Sequence, residues 1–86
     1  MIYNDFKGNK WTEYLDDKRD GEGCRYVMAD TPDDILEVLV DLDIETRLRS
    51  GYFCNFSRVP AERFRAIRDR LIKKRGLTKK RLRYDD

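Results

Sequence analysis

Histidine is absent from this 86-residue sequence. With it goes the side chain that most often serves as general base or metal ligand near neutral pH. Cysteine is scarce: Cys24 and Cys54 stand thirty residues apart, so no zinc site of the usual Cys/His spacing can be drawn. No apolar run approaches membrane-spanning length, and the opening MIYNDFKGNK lacks the apolar segment of a secretory signal. A cytoplasmic protein is therefore expected, with both cysteines as reduced, small, buried hydrophobes. On the same ground the triplet Asn55-Phe56-Ser57 reads as a chance match to a glycosylation acceptor.

There is no Walker loop, and the Gly21-Glu22-Gly23 run reads as a turn. The acidic residues lack the alternation and central glycine of a calcium loop. Neither a metal nor a cofactor is expected. Two carboxylates suffice in principle for acid/base hydrolysis, but so short a chain has little room for an enclosed pocket, and no enzyme activity is expected.

What the chain does have is charge, at 42% of residues against 40% hydrophobic, with a net charge of only +2. One domain of this size buries about 60–65% of its unfolded surface, so its core is small. The distribution of charge says more than the sum. Positions 30 to 45 hold seven acidic residues and no basic one; positions 58 to 83 hold twelve basic residues against Glu62 and Asp69. An acidic segment and a basic segment follow one another in a single small fold.

Both segments read as helices. In the first, over 32–50, Thr31 suits the N-cap and Pro32 the first helical position, while Asp33 and Asp34 complement the positive pole. Ile35, Val38, Leu39 and Leu42 recur at helical spacing, and Leu36 with Val40 widens the stripe, as befits a central helix. Gly51 suits its C′ position. In the second, over 60–75, Pro60 and Glu62 suit the start, Lys73, Lys74 and Arg75 the negative pole, and Gly76 the stop. Thr78 is placed to cap a short turn carrying Leu82. Residues 24–29, CRYVMA, read as a strand, and the polar run before them as a turn. Residues 10–15, KWTEYL, read either as the partner strand of a hairpin or as a short helix capped by Thr12. Tyr52, Phe53 and Phe56 with Trp11 are expected to fill the space between the elements. The expected fold is a small, single-domain α+β protein, mainly α: two antiparallel helices plus an N-terminal β-hairpin or short strands, the hairpin region in 1–30 and the helical region in 31–86.

On a helical wheel Phe64, Ile67 and Leu71 share a face with Ala61 and Ile72 at its flanks. Arg68 and Arg75 land inside that apolar arc, which predicts internal pairing with an acid of the first helix such as Glu37 or Asp41. The remaining cations, Arg63, Arg65, Arg70, Lys73, Lys74, Lys79, Lys80, Arg81 and Arg83, are expected to form a continuous basic surface, with Tyr84 beside it to stack on a base. Arginine predominates on the helix, which favours bidentate phosphate contact.

Residues 66–82, AIRDRLIKKRGLTKKRL, resemble the opening of a repressor-type helix-turn-helix unit. That family reads bases with a recognition helix after the turn; here only Tyr84, Asp85 and Asp86 follow Arg83, so sequence-specific DNA readout is not expected. The leading functional expectation is a non-enzymatic protein, monomer or homodimer, that contacts nucleic-acid phosphates through the basic surface. The alternative is a regulator or inhibitor of the phage or mobile-element type. It would dock on a nucleic-acid-processing enzyme through Asp30, Asp33, Asp34, Glu37 and Asp41.

Overall fold

The computed structural model describes residues 9–19, 25–51 and 53–85, and for 17–19 the backbone alone. Cys24, Tyr52 and the turn expected at Gly21-Glu22-Gly23 lie outside the described residues. The elements are a 3₁₀ helix at Lys10–Tyr14, β1 at Leu15–Arg19, β2 at Arg25–Val27, α1 at Asp33–Leu48 and α2 at Ala61–Arg75. This is a small α+β fold, as expected.

The N-terminal details differ from expectation. Residues 10–14 form the helical alternative and not a strand, and the Thr12 N–H donates to the Asn9 carbonyl. The strand begins only at Leu15 and runs into the polar residues read as a turn. It pairs antiparallel with β2, Leu15 opposite Val27 and Arg19 opposite Arg25, with a register slip between them. Backbone bonds hold this ribbon, including Met28 N–H to the Tyr14 carbonyl at 2.8 Å. Side-chain propensity plays little part in LDDKR.

A second pairing sets the topology. Tyr26 bridges Asn55 in the parallel sense, with Val27 N–H to Asn55 O at 2.9 Å and Asn55 N–H to Arg25 O at 2.7 Å. Parallel neighbours need a crossover connection, and α1 supplies it. The expected antiparallel packing of the helices is thereby corrected. Arg63 pairs with Asp33, Arg70 with Glu37, and Arg75 with Asp41 and Glu45, so partners advance together along α1 and α2. The two helices run in the same sense. The cause is residues 49–60: α1 is roughly 24 Å long, and twelve extended residues reach up to about 40 Å, enough to carry the chain back to the α1 start.

The α1 boundaries follow local chemistry. Pro32, not Thr31, holds the N-cap position, and there is no side-chain cap. Thr31 is buried and its hydroxyl donates to the Met28 carbonyl at 2.6 Å. Leu36, Leu39, Val40 and Ile44 are buried, whereas Val38, expected on the core face, is exposed. With Leu15, Val27, Ile67, Leu71 and Leu82 they form the core, against which Trp11, Phe53, Phe56 and Phe64 pack.

Both helices end in a left-handed residue followed by a 6→1 bond. At α2 this residue is Gly76, φ 67°, with Leu77 N–H to Ile72 O at 3.0 Å. At α1 it is Ser50, φ 70°, with Gly51 N–H to Thr46 O at 3.0 Å. Gly51 has no positive φ, and a Cβ there would sit 3.2 Å from the Thr46 methyl, a tight contact. A non-glycine residue in this region costs about 1–2 kcal/mol. Ser50→Gly is therefore expected to raise stability by about 0.5–1 kcal/mol and Gly76→Ala to lower it by about 1 kcal/mol in urea unfolding.

Candidate functional site

The nine cations nominated from the sequence divide into groups. Arg63 and Arg70 belong to the interhelical ladder. The Arg63 Nε lies 2.6 Å from Asp33 Oδ1, and its Nη1 and Nη2 donate to the Ala29 and Thr31 carbonyls at the head of α1. Arg70 Nη2 meets Glu37. These rungs are solvent-exposed, so each contributes on the order of 0–1 kcal/mol and fixes register more than stability. Arg75, expected inside, completes the ladder with Asp41 at 2.8 Å and Glu45 at 2.7 Å. Its pKa is raised by the Glu45 hydrogen bond against a partial lowering by burial, with Asp41 adding to the rise.

Arg68 is buried at 2% exposure, as its wheel position implies, but Glu37 and Asp41 serve other arginines. Its guanidinium instead bonds Asp69 of its own helix at 2.9 Å and lies 5.4 and 4.9 Å from the Phe64 and Tyr84 ring centroids. Cation–π contacts of this kind are favourable where water is excluded.

Arg83 and Arg47 form a reciprocal clasp. Arg83 sits in the left-handed region, φ 63°, closing the short turn that Thr78 caps by accepting the Arg81 N–H at 3.1 Å. The Arg83 Nη2 donates to the Arg47 and Gly51 carbonyls at the end of α1. In return the Arg47 Nη1 donates to the Leu82 and Arg83 carbonyls, both at 2.9 Å. Arg83 thus satisfies carbonyls at the end of α1, and Arg47 those of the turn that carries Leu82.

Under the clasp lies Asp43, 1% exposed. It accepts from Phe53 N–H at 2.8 Å, Arg47 Nε at 2.9 Å and the Tyr84 hydroxyl at 2.7 Å. The Tyr84 ring lies 4.0 Å from the Arg47 guanidinium carbon and packs on Phe64. The ring expected to stack on a base is thus held inside the domain. Sequence reasoning missed this hub, although a signal existed. Asp43 stands seven residues after Leu36 and three after Val40, on the buried stripe, where a carboxylate requires partners.

What remains is Lys73, Lys74, Lys79, Lys80 and Arg81, which have no ion-pair partner among the described residues; all but the half-buried Lys79 are exposed. They occupy the last turn of α2 and the turn after it, so chain continuity gathers them at one end of the molecule. Arg65 is exposed on α2 and lines a pocket beside Phe64 and Arg83. Among the acids, Asp34 accepts the Ile35 N–H and Asp30 is exposed. Among the described residues no three His, Cys, Asp or Glu side chains converge as metal ligands. No helix of the described chain is long and apolar enough to cross a membrane.

Burial first, and then the Asp43 carboxylate, raise the Tyr84 pKa above the ordinary tyrosine value of 10.0, with Arg47 and Arg68 opposing. Folded Tyr84 therefore keeps its proton where the unfolded chain has lost it. Its contribution is complete below about pH 10 and declines as pH rises beyond that value. Tyr84→Phe is expected to destabilise at pH 7 by about 1–3 kcal/mol, having left a buried carboxylate lone pair unmet. It should also flatten the alkaline fall seen by urea unfolding between pH 9 and pH 11. No family model, curated protein or solved structure matches this chain.

Proposed function

We propose that this protein is a non-enzymatic nucleic-acid-binding protein that grips the phosphate backbone through Lys73, Lys74, Lys79, Lys80 and Arg81. One observation carries the reading. The acids of α1 take Arg63, Arg70 and Arg75, yet five cations grouped at one end have no carboxylate among the described residues. A local excess of that kind raises the concentration of a polyanion at the surface and releases its counterions on binding. Lys73 and Lys74 also sit at the negative pole of α2, but Lys79, Lys80 and Arg81 lie beyond that helix and have no such role. Lysine predominates in this set, which suits sequence-independent contact with phosphate as a point charge. Cys54 is buried, and the cytoplasmic setting proposed here would keep it reduced.

The competing reading, an acidic face that docks on a nucleic-acid-processing enzyme, has less support. Asp33, Glu37 and Asp41 are engaged by α2, which leaves Asp30 and Asp34 as a small remainder.

The test is a salt titration of binding to labelled duplex and single-stranded oligonucleotides. Five phosphate contacts predict a duplex slope of log K against log salt of about −4 to −5, where all nine nominated cations would give about −8. Lys74→Glu with Lys80→Glu should weaken binding at least tenfold, reduce the slope by about two, and leave the circular dichroism spectrum unchanged. Arg70→Glu is a poorer choice because it would face Glu37. Absence of binding to either form at low salt contradicts the proposal.

A further inference from the structure

A pocket of about 530 Å³ opens between the 54–59 segment, the first two turns of α2 and residues 83–85. That volume lies within the roughly 300–1,000 Å³ of small-molecule sites. Arg47, Arg65, Arg68 and Arg83 line it together with Asp43 and Asp85; Arg47 pairs with Asp43 and Arg68 with Asp69. Arg83 matters most, because its one bonded nitrogen, Nη2, meets neutral carbonyls and leaves the positive charge without a carboxylate among the described residues.

The wall is also aromatic. Phe56 and Phe64 lie 4.9 Å apart at an interplanar angle of 34°, both half-buried, and both line the pocket. Beside them, the Asn55 carboxamide oxygen accepts the Ser57 N–H at 2.7 Å. The Asn55 amide nitrogen and the Ser57 hydroxyl have no partner among the described residues, and both residues line the same space. The pocket therefore offers an apolar aromatic wall, two side-chain hydrogen-bonding groups at its edge and the Arg83 guanidinium, which has no carboxylate among the described residues.

We infer that this pocket binds one nucleotide, its base against Phe56 and Phe64, its base edge on Asn55 and Ser57, and its phosphate on Arg83. Stacking on aromatic rings with hydrogen bonds to the base edge is the general way proteins hold an unpaired base. The inference rests on the nucleic-acid reading above and extends it from the backbone to a single nucleotide. The ligand is either a free nucleotide or the phosphorylated end of a strand.

The experiment is a titration of the full chain with adenosine 5′-monophosphate, followed by amide chemical shifts. The nucleotide should shift Asn55, Phe56, Ser57 and Arg83, and adenosine should bind at least tenfold more weakly. Ser57→Glu, at an exposed position, should abolish these shifts while sparing the fold and the salt-dependent oligonucleotide binding that Lys74→Glu with Lys80→Glu removes. A 5′-phosphorylated oligonucleotide binding at least tenfold tighter than its 5′-hydroxyl form identifies a strand end as the ligand; equal binding identifies the free nucleotide. Oligonucleotide binding without shifts from millimolar nucleotide overturns the pocket inference alone. Nucleotide binding without oligonucleotide binding overturns the backbone reading and leaves the pocket standing.

Discussion

Asp43 is a carboxylate with 1% of its surface exposed, and a charge so placed persists only when hydrogen bonds and an opposite charge replace the water it lost. Three donors from three parts of the chain do so: Arg47 on α1, the Phe53 backbone in the returning segment, and the Tyr84 hydroxyl after α2. Among the described residues no buried side-chain polar atom lacks a partner. That single group ties Tyr84 to α1 and to the returning segment, beside the Arg47–Arg83 clasp. Leu82, fully buried, supplies the apolar anchor beneath the same segment.

The charge asymmetry of the sequence resolves into two unlike uses of cations. Along the helices, arginines reach across to acids one or two turns apart and set the register of two elements running in the same sense. Beyond α2, Arg83 bonds to carbonyls, while Lys80 and Arg81 are exposed. Guanidinium, with its fixed fork of donors, suits carbonyl pairs and carboxylates; ammonium suits solvent and a mobile phosphate. The basic stretch thus divides into cations that the fold itself engages and cations, Arg81 among them, that have no carboxylate among the described residues.

Much of the fold was legible in local chemistry. Gly76 stops α2 in the left-handed region, Thr78 caps the turn that carries Leu82, and Arg75 meets Asp41 across the helices. Each of these depends on neighbours within a turn or on a helical period. The direction of α2 was not legible, because nothing in the sequence around Asn55 marks it as the residue that pairs in parallel beside β2. The length of the connection was the available signal: twelve residues between the helices exceed the roughly two to eight that join antiparallel neighbours. Leu15–Arg19 was missed because a polar strand held by backbone bonds shows no apolar alternation. The candidate site was legible as a set of nine cations but not as the five left over. A sequence counts charges, and only the packed structure assigns their partners.

The account turns on whether Asp43 holds the C-terminal segment in place, and urea unfolding of Asp43→Asn at neutral pH tests it most directly. The side chain keeps its shape, loses its charge, and presents an amide to at least one of its former donors. A loss of about 2–4 kcal/mol is expected for a buried, charge-paired acceptor. A change below about 0.5 kcal/mol, the scale of an ordinary surface substitution, would contradict the account.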